Sequence, residues 1–371
     1  MTIKGLRAGL SLLLLAAGDA YGSIAGQRSL VELEQSADLI VVGAASGGVQ
    51  SGTALSFTLQ VDRLVKGDPA VARTLIAVDW ASVDRSGPPA LGPPQVSGNG
   101  LWFVKRSSSG WELLPAISGE PFSETYIPEP PGAISSAYAY TPATALSDKV
   151  ASEIAAALEA ADGGGGKLAG LYYLLDELHS PVIQLLYRRM STSASPHQKI
   201  LGLSGLIRGG SAVALSAVLE IASSLDAYPL ESGVLFNAIR NEFRSTDPAS
   251  VETLGKIAST TGRSQLLREA AARALVAIHT QQALPYLAAL LDDPDLRGEG
   301  VGGLASFANG LPVQTAADVP SLRYLQRPPS APYMNKATIE NFALGSGAAA
   351  NDTRVSFWKA WWQQNRAALG Y

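Results

Sequence analysis

The chain has 371 residues, is 47% hydrophobic and 16% charged, carries a formal net charge of -4, and contains no cysteine. At about 150 residues per domain this length predicts two or three domains, and so apolar a composition excludes disorder throughout. The absence of cysteine excludes disulfides, thiol catalysis, cysteine zinc sites and a lipid anchor on cysteine. The negative balance argues against a nucleic-acid partner, whose phosphates need clustered Lys and Arg.

The first residues, MTIKGLRAGLSLLLLAAGDAYGS, follow the order of a secretory leader. Lys4 and Arg7 form a positive start, Ala8 to Ala17 a short apolar run, and Gly18 with Ala20 a small-residue cleavage site. A bilayer needs about 20 apolar residues and this run is about half that, so 1–20 is expected to be a cleaved signal peptide and not a membrane anchor. No membrane span remains after cleavage. Loss of Lys4, Arg7 and Asp19 takes the net charge from -4 to -5. A twin-arginine signal is missing, which points to general export. A secreted or periplasmic location is the expectation, with stability drawn from packing alone.

Residues 29–114 read as a small β-barrel domain. Ser29 to Ser36 predicts one short amphipathic helix. Leu39 to Val42 is a β-branched run closed by Gly43. Leu55, Phe57, Leu59 and Val61 then alternate with Ser56, Thr58, Gln60 and Asp62, the period of a half-buried strand. Lys66-Gly67-Asp68 ends it with turn chemistry. Thr74 to Trp80 predicts a further strand and Gly87 to Gly100 a proline-rich loop. Leu101 to Lys105 and Trp111 to Leu114 predict a hairpin around Ser107 to Gly110. Four or five short strands suggest a barrel or sandwich, since closure protects strand edges. Residues 115–142 hold six prolines and read as an extended connection, taken as the domain boundary.

Residues 143–310 change to a helical period. Leu146, Val150, Ile154 and Leu158 form one apolar stripe. After Gly163 to Gly166 come predicted helices at Leu168–Leu178, Pro181–Met190, Pro196–Ile207, Ala212–Leu225, Gly233–Phe243, Ala249–Ser259, Gln265–Ile278, Ala283–Leu291 and Leu296–Phe307. Leu206, Ile239, Leu275 and Leu304 occupy similar places, at steps of 33, 36 and 29 residues. Helix pairs recurring on that scale mark an α-solenoid, because one pair cannot bury both apolar faces alone. A compact, non-repeating helical bundle is the rival reading. The fold class is thus α+β and multidomain: a small OB-like barrel followed by a solenoid.

The stretch Leu266-Leu267-Arg268-Glu269-Ala270-Ala271-Ala272-Arg273-Ala274-Leu275, with Ala283-Leu284-Pro285-Tyr286-Leu287 through Asp292-Asp293-Pro294-Asp295-Leu296-Arg297, resembles HEAT repeats. The resemblance is good over one and a half units and loose over Leu168 to Ser259. It implies paired helices presenting a surface to protein partners. Gly298, Gly300, Gly302 and Gly303 depart from it, each costing about 1 kcal/mol against Ala in a helix; that unit is expected to be tightly packed or locally loose. The run from Ser36 to Gly43 and on through Val61 to Gly67 is weakly similar to OB-type or netrin-like barrels. Netrin-like domains carry disulfides, so their inhibitory activity does not transfer.

Residues 311–354 read as irregular. Residues 355–371 predict a helix with Phe357 and Trp361, and Trp358 and Trp362, four apart. This aromatic face suits a helix capping the repeat stack; a docking face for a sugar is the alternative.

No linear signature of catalysis stands out. His179, His197 and His279 each sit at a helix end or start, without a second His at helical spacing; His179 near Asp176 and Glu177 reads as a charge at a helix C-terminus. Asp292, Asp293 and Asp295 are the densest acidic cluster, but the calcium-loop pattern fails at Arg297, and Asp295 reads as a helix N-cap. Ser356-Phe357-Trp358-Lys359 fits S-x-x-K without its companion motifs. Gly98-Asn99-Gly100 and Gly163 to Lys167 look like phosphate loops but complete no pattern, Leu168 standing where Ser or Thr is needed.

The expectation is therefore an exported, non-catalytic binding or scaffold protein with a protein or peptide partner, no cofactor, no metal, and no assigned catalytic or binding residue. Two alternatives are an envelope hydrolase with an acidic site in the barrel loops, and glycan binding through Trp80, Trp102 or Trp111.

Overall fold

The computed structural model describes residues 29–51, 54–81, 98–114, 144–160, 172, 175, 180–310, 333, 335–341 and 348–371. The expected leader, the connection at 115–142 and the glycine run at 163–166 lie outside them. The chain divides into two units, one of residues 1–163 with 170–183 and one of 164–169 with 184–371.

The first unit opens with helix α1, Leu30–Ser36. Ser29 caps it: its Oγ accepts from the Glu32 backbone N–H, and the Glu32 carboxylate accepts from the Ser29 backbone N–H. This reciprocal pair satisfies two donors that a helix start leaves free. Strands β1 (Leu39–Ser51), β2 (Ala54–Lys66), β3 (Leu75–Ala81), β4 (Gly98–Ser107) and β5 (Gly110–Leu113) follow. They close a barrel in the order β1-β2-β3-β5-β4, all neighbours antiparallel except the parallel pair β3–β5.

The alternation read in β2 holds where side chains are described. Phe57, Leu59 and Val61 point into the barrel with Leu39, Val41, Val78, Trp80, Trp102 and Val104, and Ser56 and Asp62 lie exposed. β1 corrects the expected end at Gly43, because the strand runs on to Ser51 through register shifts. A Cβ at Gly43 would strike the Gln60 carbonyl oxygen, and the Gly43 carbonyl accepts from Trp102 Nε1 at 2.8 Å. Glycine here permits a close strand crossing and does not end the strand. Ile40, Val42, Leu101 and Phe103 are also buried, although they lie outside the interior cluster. Strands apolar on both faces need cover outside the barrel. α1 packs on β4, and α2 (Leu146–Ala160) packs on α1 and β2. α2 was expected to begin the helical row, but it belongs to the barrel unit.

The helical row runs through α3 (Pro181–Ser191), α4 (Pro196–Arg208), α5 (Ala212–Ile221), α6 (Pro229–Asn237), α7 (Pro248–Ser259), α8 (Gln265–Ile278), α9 (Leu284–Ala289) and α10 (Arg297–Ala308). Proline at the start of α4, α6 and α7 presets the first helical turn. Alternate helices are neighbours: α4 packs on α6, α6 on α8 and α8 on α10, while α5 packs on α7 and α7 on α9. One continuous apolar core runs from Ile200 to Leu369. α6 ends in a five-residue π turn, Ala238–Glu242, where a single helix to Phe243 was expected.

The glycines of α10 divide by their surroundings. A Cβ on Gly300 would press on the Leu287 carbonyl, and one on Gly303 on the Leu287 side chain, while one on Gly302 would meet open space. Gly300 and Gly303 let α9 approach closely. The expected irregular stretch at 311–354 contains α11 (Lys336–Glu340), and α12 (Ala348–Asn365) begins seven residues before the expected 355.

Candidate interaction surface of the helical row

Polar side chains join neighbouring helices of the row. The His197 Nδ1 and Glu231 Oε1 atoms lie 2.9 Å apart, linking the first turns of α4 and α6. Arg208 and Glu242 link the far end of α4 to the π turn after α6. Both pairs are 34 residues apart, so α4 and α6 run in the same direction and in register. Glu231 is buried, and the Tyr228 ring meets the His197 ring edge-on at 4.8 Å. Neither pair has a linear signature. A basic side chain with an acidic one at the repeat spacing is the signal that would have found them.

Arg268 is buried between α7, α8 and the turn after α9. Its Nε donates to the Ala258 carbonyl and its Nη2 to Asp293. Burial pushes the Asp293 carboxyl up, but the Asp295 and Leu296 backbone N–H groups and Arg268 overcome this and hold it below the usual carboxylate range. Asp293, and not Asp295 as expected, therefore accepts the free N–H groups ahead of α10. The helix begins at Arg297, one residue later than an Asp295 cap requires, and the N–H groups that Asp293 reaches are those of Asp295 and Leu296, ahead of the helix. Asp292 instead pairs with Lys359 of α12. Glu299 of α10 faces Arg273 of α8; burial raises its pKa against the arginine's pull.

The aromatic helix α12 packs on α9 and α10 at the end of the row. Trp358 and Trp361, three apart, are the buried pair, while Phe357 and Trp362 are half-buried. Trp358 Nε1 donates to the Asn341 carbonyl at 2.7 Å. The end of the chain is tied to the turn before α9: Gln281 Nε2 donates to the Leu369 carbonyl and Tyr371 OH to the Gln281 carbonyl.

What faces solvent includes large apolar side chains. Leu230 and Leu266 are each the second residue of their helices, α6 and α8, and are 50% and 45% exposed. A Cβ on Gly233, one turn on from Leu230, would meet open space.

The other residues singled out in the sequence fall apart from one another. Trp80 and Trp102 are buried in the barrel, so their faces are unavailable to a sugar; Trp111 is half-buried, with the Arg106 guanidinium 4.8 Å above its ring. Gly98-Asn99-Gly100 forms the start of β4 and not a phosphate loop, because its backbone is taken up pairing with β1. His279 caps α8 in the left-handed conformation. His179, Asp176 and Glu177 lie outside the described residues. In the barrel, Asp79 accepts from Ser56 Oγ, Asp38 from the Arg106 backbone N–H, and Asp68 from the Ala70 N–H. Among the described residues no group of three or more acidic or His side chains is placed to hold a metal ion, and no helix is long and apolar enough to cross a membrane.

Residues 267–293 match the PBS lyase HEAT-like repeat family. No curated protein and no solved structure matches the chain. The matched stretch runs from α8 through α9 to Asp293, and thus takes in Arg268 and its acidic partner.

Proposed function

We propose that the protein is an exported, non-catalytic scaffold whose helical row binds a protein or peptide. The observation that carries this reading is the row itself: stacked helices share one core and leave Leu230 and Leu266 exposed at equivalent places on two packed neighbours. Stacked repeats present extended surfaces of this kind, and exposed apolar anchors suit a protein partner better than a small polar one. Export rests on the leader-like order of residues 1–20, with Lys4 and Arg7 before the apolar run. An OB-type reading of the barrel is supported by its strand order and its single parallel pair, β3 with β5.

The test places a photo-crosslinking amino acid at position 230 or 266 in cells, with position 49, also exposed, as control. The same adduct from 230 and 266, missing from 49, is the expected result; Leu266→Asp then weakens binding of the identified partner by about tenfold or more. Equal labelling at all three positions, or none at 230 and 266, overturns the reading. Export is checked by whether the mature chain begins at Tyr21.

A further inference from the structure

Helix α1 is seven residues long, and Leu30 and Leu33 anchor it, both fully buried. Between them and the end of the helix lies Glu34, only 7% exposed, whose Oε1 is buried with no hydrogen-bond donor. The neighbouring cation directs its protons elsewhere. Lys66 Nζ donates to the carbonyls of Glu34 at 2.8 Å and Ala37 at 2.5 Å, closing the end of the helix. It acts on the Glu34 carboxyl only through space.

The other charged groups on α1 and the elements packed against it have partners of their own. Glu32 of α1 is held in the N-terminal cap. On α2, Glu153 is paired with Arg63 of β2 at 2.6 Å and Asp148 accepts from Ser180 Oγ; Lys149 and Glu159 complete that helix's charges. On β4, Lys105 faces Glu112, and Arg106 lies over Trp111 with its backbone N–H on Asp38.

We propose that Glu34 makes α1 a pH-controlled strap on the barrel unit. Protonated, its carboxyl is a buried neutral group and α1 stays docked on β4 and α2. Ionised, it becomes a buried anion short of a donor, and α1 lifts away to uncover apolar surface. A buried unpaired charge is far costlier than a buried neutral acid, which gives the strap its direction. Burial accordingly pushes the Glu34 carboxyl from 4.5 up to about 7, with Lys66 pulling partly back. The docked value lies above the undocked one, so docking takes up a proton. The stabilisation is complete below about pH 4.5 and is lost as pH rises through about 7. This inference stands apart from the scaffold reading and needs no partner.

The experiment uses the full chain with 13C-labelled glutamate carboxyls, titrated by NMR, together with hydrogen exchange at the Leu33 and Ala37 amides. Those amides bond back to the Ser29 and Leu33 carbonyls and report on α1 directly. Glu34 is expected to titrate near pH 7. The opening constant of α1, corrected for the intrinsic rise of exchange with pH, is expected to grow by on the order of 100-fold between pH 5 and pH 9. In Glu34→Gln it stays level. Lys66→Met, which removes the through-space attraction, moves the Glu34 midpoint higher still. A wild-type Glu34 that titrates near 4.5 overturns the proposal, as does an α1 opening constant that changes by less than about threefold over that range.

Discussion

The barrel seals its core with its own strands, since β1 pairs with β4 and no edge is left among the five. The helical row has no such closure. Its core passes from helix to helix from Ile200 onward and stops where α12 lays Trp358 and Trp361 across α9 and α10. The difference shows in where polar groups are buried. In the barrel unit, Glu34 and Glu153 are buried where helices pack on strands, and burial raises both carboxyls. In the row, the buried charges join successive helices, as Arg268 does with Asp293. A closed core is finished by its own pairing, whereas an open one needs a cap at its end and polar clips along its length.

The sharpest way to break this contrast is Trp358→Ala. It empties a fully buried site and orphans the Asn341 carbonyl, and should cost about 4 kcal/mol. Urea unfolding followed by far-ultraviolet circular dichroism would register the loss in the helices, with barrel exchange protection unchanged. Arg268→Met leaves Asp293 without its cation and the Ala258 carbonyl without a donor, at about 3 kcal/mol by the same melt. The glycines sharpen the picture further. Gly205→Ala drives a methyl into the Tyr187 ring and should destabilise by about 2 kcal/mol. Gly302→Ala meets open space and should stabilise by about 0.5–1 kcal/mol. If both substitutions move the melt in the same direction, close helix approach is not what keeps Gly205. At the small end, Lys105→Ala removes the half-exposed pair with Glu112 on the barrel surface and should shift stability by no more than about 0.5 kcal/mol.

Much of this architecture was legible in the residues because it is local. The alternation through Phe57, Leu59 and Val61, the four-residue spacing from Leu146 to Leu158, and Pro196 at a helix start each follow from neighbouring positions alone. What escaped was set at a distance. Gly43 carries a local mark of termination, yet it is spent on a crossing with β2 and on the Trp102 indole, 59 residues away. Asp295 has the right type for a cap, but the helix starts at Arg297, one residue too late for it, and Asp293 instead takes the Asp295 and Leu296 N–H groups together with Arg268. The buried face of α12 is Trp358 with Trp361, not the four-apart pairs, because the wall it meets selects the stripe. Glu34 carries no mark in the sequence beyond its place on a short helix; that Lys66 turns to carbonyls instead of its carboxylate is not readable from spacing.

The two polar links between α4 and α6 share one separation in sequence. Because both separations are equal, a residue gained or lost between Arg208 and Glu231 would pull both joints out of register at once unless a turn absorbed it.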